Sequence, residues 1–245
     1  MPRLNDIIAR HRLFRQTPHP AEVSDFFHVF NSPNILNVAY WYEYFGLVRS
    51  VPGDIVECGV GRGRSLLTLL ALESLFRTFD GYAPRRIHGL DSFEGFPEPT
   101  AKDASPRNPK KGEWSKSPNG QFDYSIANLL KIISLAGIEQ TVRDDLVLLK
   151  GFFGETARQV SAETVALLHL DGDLYASVRD PLDALADRIQ KGGIIVIDDF
   201  LLADPHQDTE AFPGARRAVE EFMAQHNDFE LKASVRGTPY LIKVA

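Results

Sequence analysis

Two acidic clusters, each closing a short apolar run, constrain this chain more than any other feature. Val165-Ala166-Leu167-Leu168-His169-Leu170 runs into Asp171-Gly172-Asp173, and Gly193-Ile194-Ile195-Val196-Ile197 runs into Asp198-Asp199. Each run has the length and composition of a buried strand, and residues 175–190 between them suit one helix. A strand, a crossover helix and a second parallel strand leave both strand ends on the same edge of one sheet. Asp171, Asp173, Asp198 and Asp199 therefore converge where open α/β sheets take their ligands. Packed together without a cation they would repel, and some would stay protonated. A hard divalent ion such as Mg²⁺ relieves that conflict, so the cluster is a candidate metal site.

The remaining elements extend the same rhythm. Asp54-Ile55-Val56-Glu57-Cys58-Gly59-Val60 reads as a first strand, followed by a glycine turn and an apolar helix through Phe76. Arg86-Ile87-His88-Gly89-Leu90-Asp91 is a second strand, residues 124–136 a helix and Leu146-Val147-Leu148-Leu149-Lys150-Gly151 a third strand. Strands that are apolar throughout and alternate with helices imply an α/β fold whose sheet is covered on both faces. A helix at 215–224 and a hairpin formed by 229–235 and 240–244 end the chain, so the last strands are antiparallel. Residues 1–50 read as a helical, aromatic-rich N-terminal extension, and 51–245 as the main domain. Residues 95–123, rich in Pro, Lys, Asp and Ser, leave from the strand end that carries Asp91. A loop of this length beside a site reads as a lid, with a plain surface insertion as the alternative.

The net charge of −6 argues against a general nucleic-acid or anionic-membrane binder. The single cysteine, Cys58, excludes an internal disulfide, and the start Met1-Pro2-Arg3-Leu4 lacks an apolar leader; a cytoplasmic setting is expected. The turn Gly59-Val60-Gly61-Arg62-Gly63 departs from the dinucleotide spacing of glycines, the third arriving one residue early. A nucleoside site with Asp91 for the ribose but no phosphate cradle suits S-adenosylmethionine better than NAD. Asp91 taken alone serves equally well as a turn or helix cap.

Six segments, in order, resemble the macrocin O-methyltransferase family: Ile55-Val56-Glu57-Cys58-Gly59-Val60, Gly89-Leu90-Asp91-Ser92-Phe93-Glu94-Gly95-Phe96-Pro97, Leu149-Lys150-Gly151-Phe152-Phe153, Leu170-Asp171-Gly172-Asp173-Leu174-Tyr175, Ile197-Asp198-Asp199-Phe200 and Gly214-Ala215-Arg216-Arg217-Ala218-Val219. The resemblance runs from about Asn31 to the terminal hairpin. It implies a class I, Rossmann-like doubly wound sheet, mostly parallel with a C-terminal antiparallel hairpin. It also implies Mg²⁺- and S-adenosylmethionine-dependent methylation of a hydroxyl, often on a sugar, in natural-product (antibiotic) biosynthesis. By position, Asp171, Asp198 and Asp199 would hold Mg²⁺, and Asp173 would be the base. Glu57 and Gly59 would face the methionine end of the cofactor, Asp91 its ribose, and Ser92 and Phe93 the adenine. Ser65, Lys150, Gly151, Phe152 and Asp171 would lie beside the cofactor as well. Gly61 and Arg64 depart from the family's glycine turn, where an aromatic residue and a second glycine are common. The resemblance also suggests a homo-oligomer.

The chemistry is coherent without the family. An alcohol must lose its proton to attack a sulfonium methyl, and a nearby dication makes it acidic enough for a carboxylate base. Adjacent hydroxyls, as in a sugar or a catechol, would chelate best, so a catechol-type O-methyltransferase stays open. A metal-dependent phosphohydrolase would want an Asp nucleophile after the first strand, where Glu57-Cys58-Gly59 stands instead. A non-catalytic binding protein on the same fold would leave the acidic cluster idle. Bland readings compete residue by residue: Asp173 as the cap of the helix at Tyr175, His169 as a satisfied core histidine, Cys58 as a small buried hydrophobe, His206 as a solvated loop histidine. Tyr40, Trp41, Tyr42, Tyr44 and Phe45 read as core or interface aromatics.

Overall fold

Short β-rich segments bury both faces only when helices cover each side, and the computed structural model has that arrangement. It describes residues 32–81, 83–116, 123–200, 212–235 and 237–245. Most of the expected N-terminal extension, the end of the 95–123 loop and His206 lie outside the described residues.

The elements in chain order are α1 (Ser32–Val48), β1 (Asp54–Cys58), α2 (Arg64–Asp80), β2 (Ile87–Asp91), α3 (Ile126–Leu135), α4 (Gln140–Asp144), β3 (Leu146–Lys150), α5 (Phe153–Gln159), β4 (Val165–Leu170), α6 (Tyr175–Leu185), β5 (Ile189–Ile197), α7 (Pro213–Met223), β6 (Phe229–Ala233) and β7 (Pro239–Lys243). Among the described residues they form one seven-stranded sheet in the order β3-β2-β1-β4-β5-β7-β6. β3 through β5 are parallel, and β7 pairs antiparallel with both β5 and β6. The expected mixed sheet with an antiparallel C-terminal hairpin is therefore present.

Strand parity divides the core in two. Ile55, Leu167, Ile194 and Val196 point to the face covered by residues 40–48 of α1 and by α2 and α3. Val56, Cys58, Leu168, Leu170, Ile195 and Ile197 point to the face covered by α5, α6 and α7. Residues 40–48, assigned above to the extension, thus belong to the main core: Tyr40, Trp41, Tyr44 and Phe45 are buried, while Tyr42 stays exposed beside Phe76. Truncating an aromatic such as Trp41 here would cost roughly 3–5 kcal/mol. Cys58 is fully buried, and burial pushes its thiol well above the ordinary range.

One expected element changes length. The helix predicted over 175–190 stops at Leu185, followed by a short 3₁₀ turn, Ala186–Arg188, and β5 begins at Ile189. The register of β4 against β5 shifts between Val165 and Leu167, so β5 carries Gly192-Gly193 as an irregularity within the strand.

A candidate metal and cofactor site at the sheet edge

The parallel strands stop together, and backbone hydrogen bonds carry the alignment one residue further. Gly59 N–H donates to Leu90 O at 2.9 Å, Asp171 N–H to Cys58 O at 2.9 Å and Asp198 N–H to Leu170 O at 3.0 Å. Glycine is required at 59: its φ is 105°, and a Cβ there would collide with the Asp171 carbonyl. The turn after β1 and the acidic end of β4 are therefore in direct contact.

On the β1–β2 side, Asp91 is half-buried and already organised. Its Oδ2 accepts from Gly61 N–H at 2.7 Å and its Oδ1 from Phe93 N–H at 2.6 Å. Burial raises the Asp91 pKa, and these two donors pull it back. The Val60 backbone acts in the same direction, and a carboxylate with about four acceptor positions can build the glycine turn and still accept from a hydroxyl. Ser92 is buried and turned inward: its Oγ donates to Gly95 O at 2.8 Å and accepts from Glu94 N–H at 3.1 Å. Phe93 is buried in the core with a left-handed φ of 54°. Ser65 is half-buried in the first turn of α2. Lys150 is exposed, 3.3 Å from Glu94; Gly151 N–H donates to Asp91 O at 3.0 Å, and Phe152 is exposed before α5.

Glu57 lies beneath the site, close enough for its charge to act on Asp91 and Asp171. It is fully buried, with Oε1 3.1 Å from Nδ1 of His169, its register partner on β4, and Trp41 packs edge-on against that imidazole at 4.7 Å. Glu57 Oε2 and His169 Nε2 have no hydrogen-bond partner among the described residues. The sequence carried a signal for this pair: each is the one polar residue in its strand's apolar stretch, and each stands one place before that stretch ends.

On the β4–β5 side, carboxylate oxygens of Asp171, Asp173 and Asp199 lie within 4.8 Å of one another. Asp198 is outside that triple, yet close enough for its charge to act on all three. Burial, followed by the charges of Asp198, Asp199, Asp173 and Glu57, holds the Asp171 carboxyl well above the usual range. Asp199 is raised well above it too, by burial and then by Asp173 and Asp198. Asp173 is pushed up to about 6, chiefly by burial. Its backbone is left-handed, φ 59°, and its N–H donates to Asp199 Oδ2 at 2.9 Å. Repelling carboxylates with raised proton affinity form a hard-oxygen donor set that fits a small dication.

The loop after β2 supplies groups that sequence reasoning missed. Arg107 pairs with Glu113 at 2.6 Å, and its guanidinium lies over Phe212 at 4.9 Å. Both charges reach Asp173, Arg107 lowering and Glu113 raising its pKa. Nothing in the local pattern marks these two residues, because the loop only meets β4 after folding.

With this geometry in place, comparison with known proteins is decisive for the family. The profile of the macrocin-O-methyltransferase (TylF) family matches residues 46–232, which include every site residue described above. The chain belongs to that family. A relative from Streptomyces olivaceus, 8-demethyl-8-(2,3-dimethoxy-alpha-L-rhamnosyl)-tetracenomycin-C 4'-O-methyltransferase, is 30% identical over 203 residues, 82% of this chain and 69% of its own length. The mycinamicin III 3''-O-methyltransferase of Micromonospora griseorubida is 28% identical over 176 residues, 72% of this chain but only 62% of its own length. The crystal structure of a calicheamicin methyltransferase superposes with a TM-score of 0.75 at 22% identity, covering 98% of this chain and 91% of that one. That likeness establishes the fold, and family membership makes the chain an O-methyltransferase. No helix among the described residues is long and apolar enough to cross a membrane.

Proposed function

We propose that this protein transfers the methyl group of S-adenosylmethionine to a hydroxyl of a sugar or similar polyhydroxylated natural product, with Mg²⁺ held at the acidic edge. The observation that carries the reading is the convergence of Asp171, Asp173 and Asp199 beside the Gly59 turn and Asp91. Two relatives, one named as the 4'-O-methyltransferase of a rhamnosyl tetracenomycin C and one as the 3''-O-methyltransferase of mycinamicin III, support the acceptor class.

Asp171, Asp198 and Asp199 would hold the cation. A dication there supplies positive charge that eases deprotonation of an adjacent hydroxyl. Asp173 is the base: it takes the hydroxyl proton while the oxygen attacks the methyl carbon and the sulfur keeps the electron pair of the broken C–S bond. Burial and the neighbouring carboxylate charges raise the proton affinity of Asp173 and a cation beside it would lower it again, so the two together set its strength as a base. Asp91 accepts from the ribose, and Gly59 lets the donor approach the backbone closely. Glu57, whose Oε1 meets His169 across β1 and β4, has Oε2 left for the methionine end of the donor. The remaining rate enhancement comes from holding oxygen, methyl and sulfur in line. Cytoplasmic location and a homo-oligomeric assembly belong to the same proposal.

A second assignment has its own support: Asp173 lies within the 4.8 Å triple, as a ligand would, and Asp198 does not. One experiment tests both. Purified protein is assayed with methyl-labelled S-adenosylmethionine against glycoside and catechol panels, with Mg²⁺ or with EDTA. Methylation of glycosides that stops in EDTA is the expected result. Full activity in EDTA sinks the metal, and a catechol preference sinks the acceptor class. Calorimetry with MgCl₂ then separates the roles: Asp173→Asn keeps Mg²⁺ if it is the base and loses it if it is a ligand.

A further inference from the structure

The loop that follows β2 is fastened at a specific point, and that point is the start of α6. Asp103 of this loop is buried, 3% exposed. Its Oδ1 accepts from Tyr175 N–H at 2.6 Å, while Oδ2 accepts from Thr100 N–H at 2.7 Å and Thr100 Oγ1 at 2.8 Å. Tyr175 opens α6, where the first N–H groups have no partner within the helix. The local residue at the cap, Leu174, offers no side-chain bond. The cap therefore comes from a carboxylate 72 residues earlier in the chain.

Gly214 is the counterpart of that reach. It occupies the second position of α7, where a helix would accept almost any other residue more readily than glycine. A Cβ at 214 would collide with Asp103 Oδ1 and lie 2.7 Å from Tyr175 N. The glycine is explained by the space it leaves, not by its own backbone. Outside this contact, Lys102 Nζ meets Glu221 Oε1 at 2.9 Å and lies 3.7 Å over the Tyr175 ring, whose hydroxyl donates to Glu221 Oε2 at 2.7 Å.

Asp173 stands two residues before Tyr175 in a left-handed conformation that a non-glycine residue keeps only when its surroundings enforce it. Asp199 holds its N–H from one side; Asp103 holds the segment from the other. We propose that Asp103 is a positioning residue of the site: seated in the notch left by Gly214, it caps α6, fixes the Asp173 backbone and docks the 95–116 loop beside the acidic cluster. The effect on a cation rests on the metal reading above; the docking itself does not.

The test compares the parent with Asp103→Ala, Asp103→Asn, Gly214→Ala and the Asp103→Ala/Gly214→Ala double variant. Native-state trypsin cleavage at Lys102, Arg107, Lys110 and Lys111 and hydrogen exchange at residues 173–175 report the docking. Both alanine variants are expected to be cleaved about tenfold faster or more, with the double variant no faster than Asp103→Ala, because the two changes break one contact. Asp103→Asn, which keeps an acceptor for Tyr175 N–H, falls between. MgCl₂ calorimetry in S-adenosylhomocysteine should then show binding weakened about fivefold or more in Asp103→Ala at unchanged S-adenosylhomocysteine affinity. Parent-like cleavage and exchange in both single alanine variants overturns the proposal, as does additive damage in the double variant. If the parent takes up no Mg²⁺, the metal reading fails and cleavage and exchange alone judge the docking. If Asp103→Ala does not fold, Gly214→Ala and Asp103→Asn decide.

Discussion

The two halves of the sheet edge solve opposite problems. Around Asp91 the backbone supplies the partners: Gly61 and Phe93 donate to the carboxylate, and Ser92 closes its own turn. Around Asp171 the side chains supply a conflict, with neighbouring carboxylates raising one another's proton affinity. The first half is complete before any ligand arrives. The second is relaxed only by protons or a cation. On the proposed assignment, a site divided this way keeps a rigid seat for the donor while the acceptor side stays sensitive to what fills it.

The sharpest way to break the contrast is to remove a charge from the unsettled half. Asp199→Ala takes away a proposed cation ligand and the partner of Asp173 N–H together, and methyl transfer should fall by about 10³-fold or more. S-adenosylhomocysteine affinity, measured by calorimetry, should stay near the parent's. Equal loss of both would mean that the halves are not separable.

Joining the halves more tightly than the fold allows comes next. Gly59→Ala would drive a methyl into the Asp171 carbonyl, and urea unfolding should show a loss of about 3 kcal/mol. A variant as stable as the parent would show that the strand ends can part without cost. A smaller effect is expected on the settled side: Asp91→Asn should weaken S-adenosylhomocysteine by about 10- to 100-fold and leave MgCl₂ binding unchanged. No change in the nucleoside affinity would remove Asp91 from the ribose.

The mildest expected effect is on thermal stability. In the metal-free protein the folded state holds protons on Asp171, Asp173 and Asp199 that an unfolded chain releases near pH 4. Stability should therefore be fullest on the acid side and decline as pH rises through the elevated folded values, about 6 for Asp173. Mg²⁺ competes with those protons, so its stabilisation should grow between about pH 5 and about pH 8, by a few degrees in Tm. A shift independent of pH would place the ion elsewhere.

Much of this layout could be read from residues alone. The parallel strands were legible because they are apolar through and through, and the meeting of Asp171 with Asp199 followed from one crossover between adjacent strands. What escaped was long-range or local in the wrong way. The Glu57–His169 pair joins positions 112 apart, and the sequence suggested a cofactor contact for one and an unremarkable core role for the other. The competing reading of Asp173 as the cap of α6 fails, because the Tyr175 N–H donates to Asp103, far away in the chain. The short helices α4 and α5 carry too few turns to show a period. The Gly192-Gly193 pair hid the true start of β5.

The sealed position of Cys58 has a practical corollary. A thiol without solvent access and with its ionisation suppressed is inert to maleimides and alkylating agents under native conditions. The wild-type background is then silent, and a cysteine placed at the exposed Trp114 would take a single fluorophore. Such a label would report whether the surroundings of the loop change when S-adenosylmethionine and MgCl₂ are added.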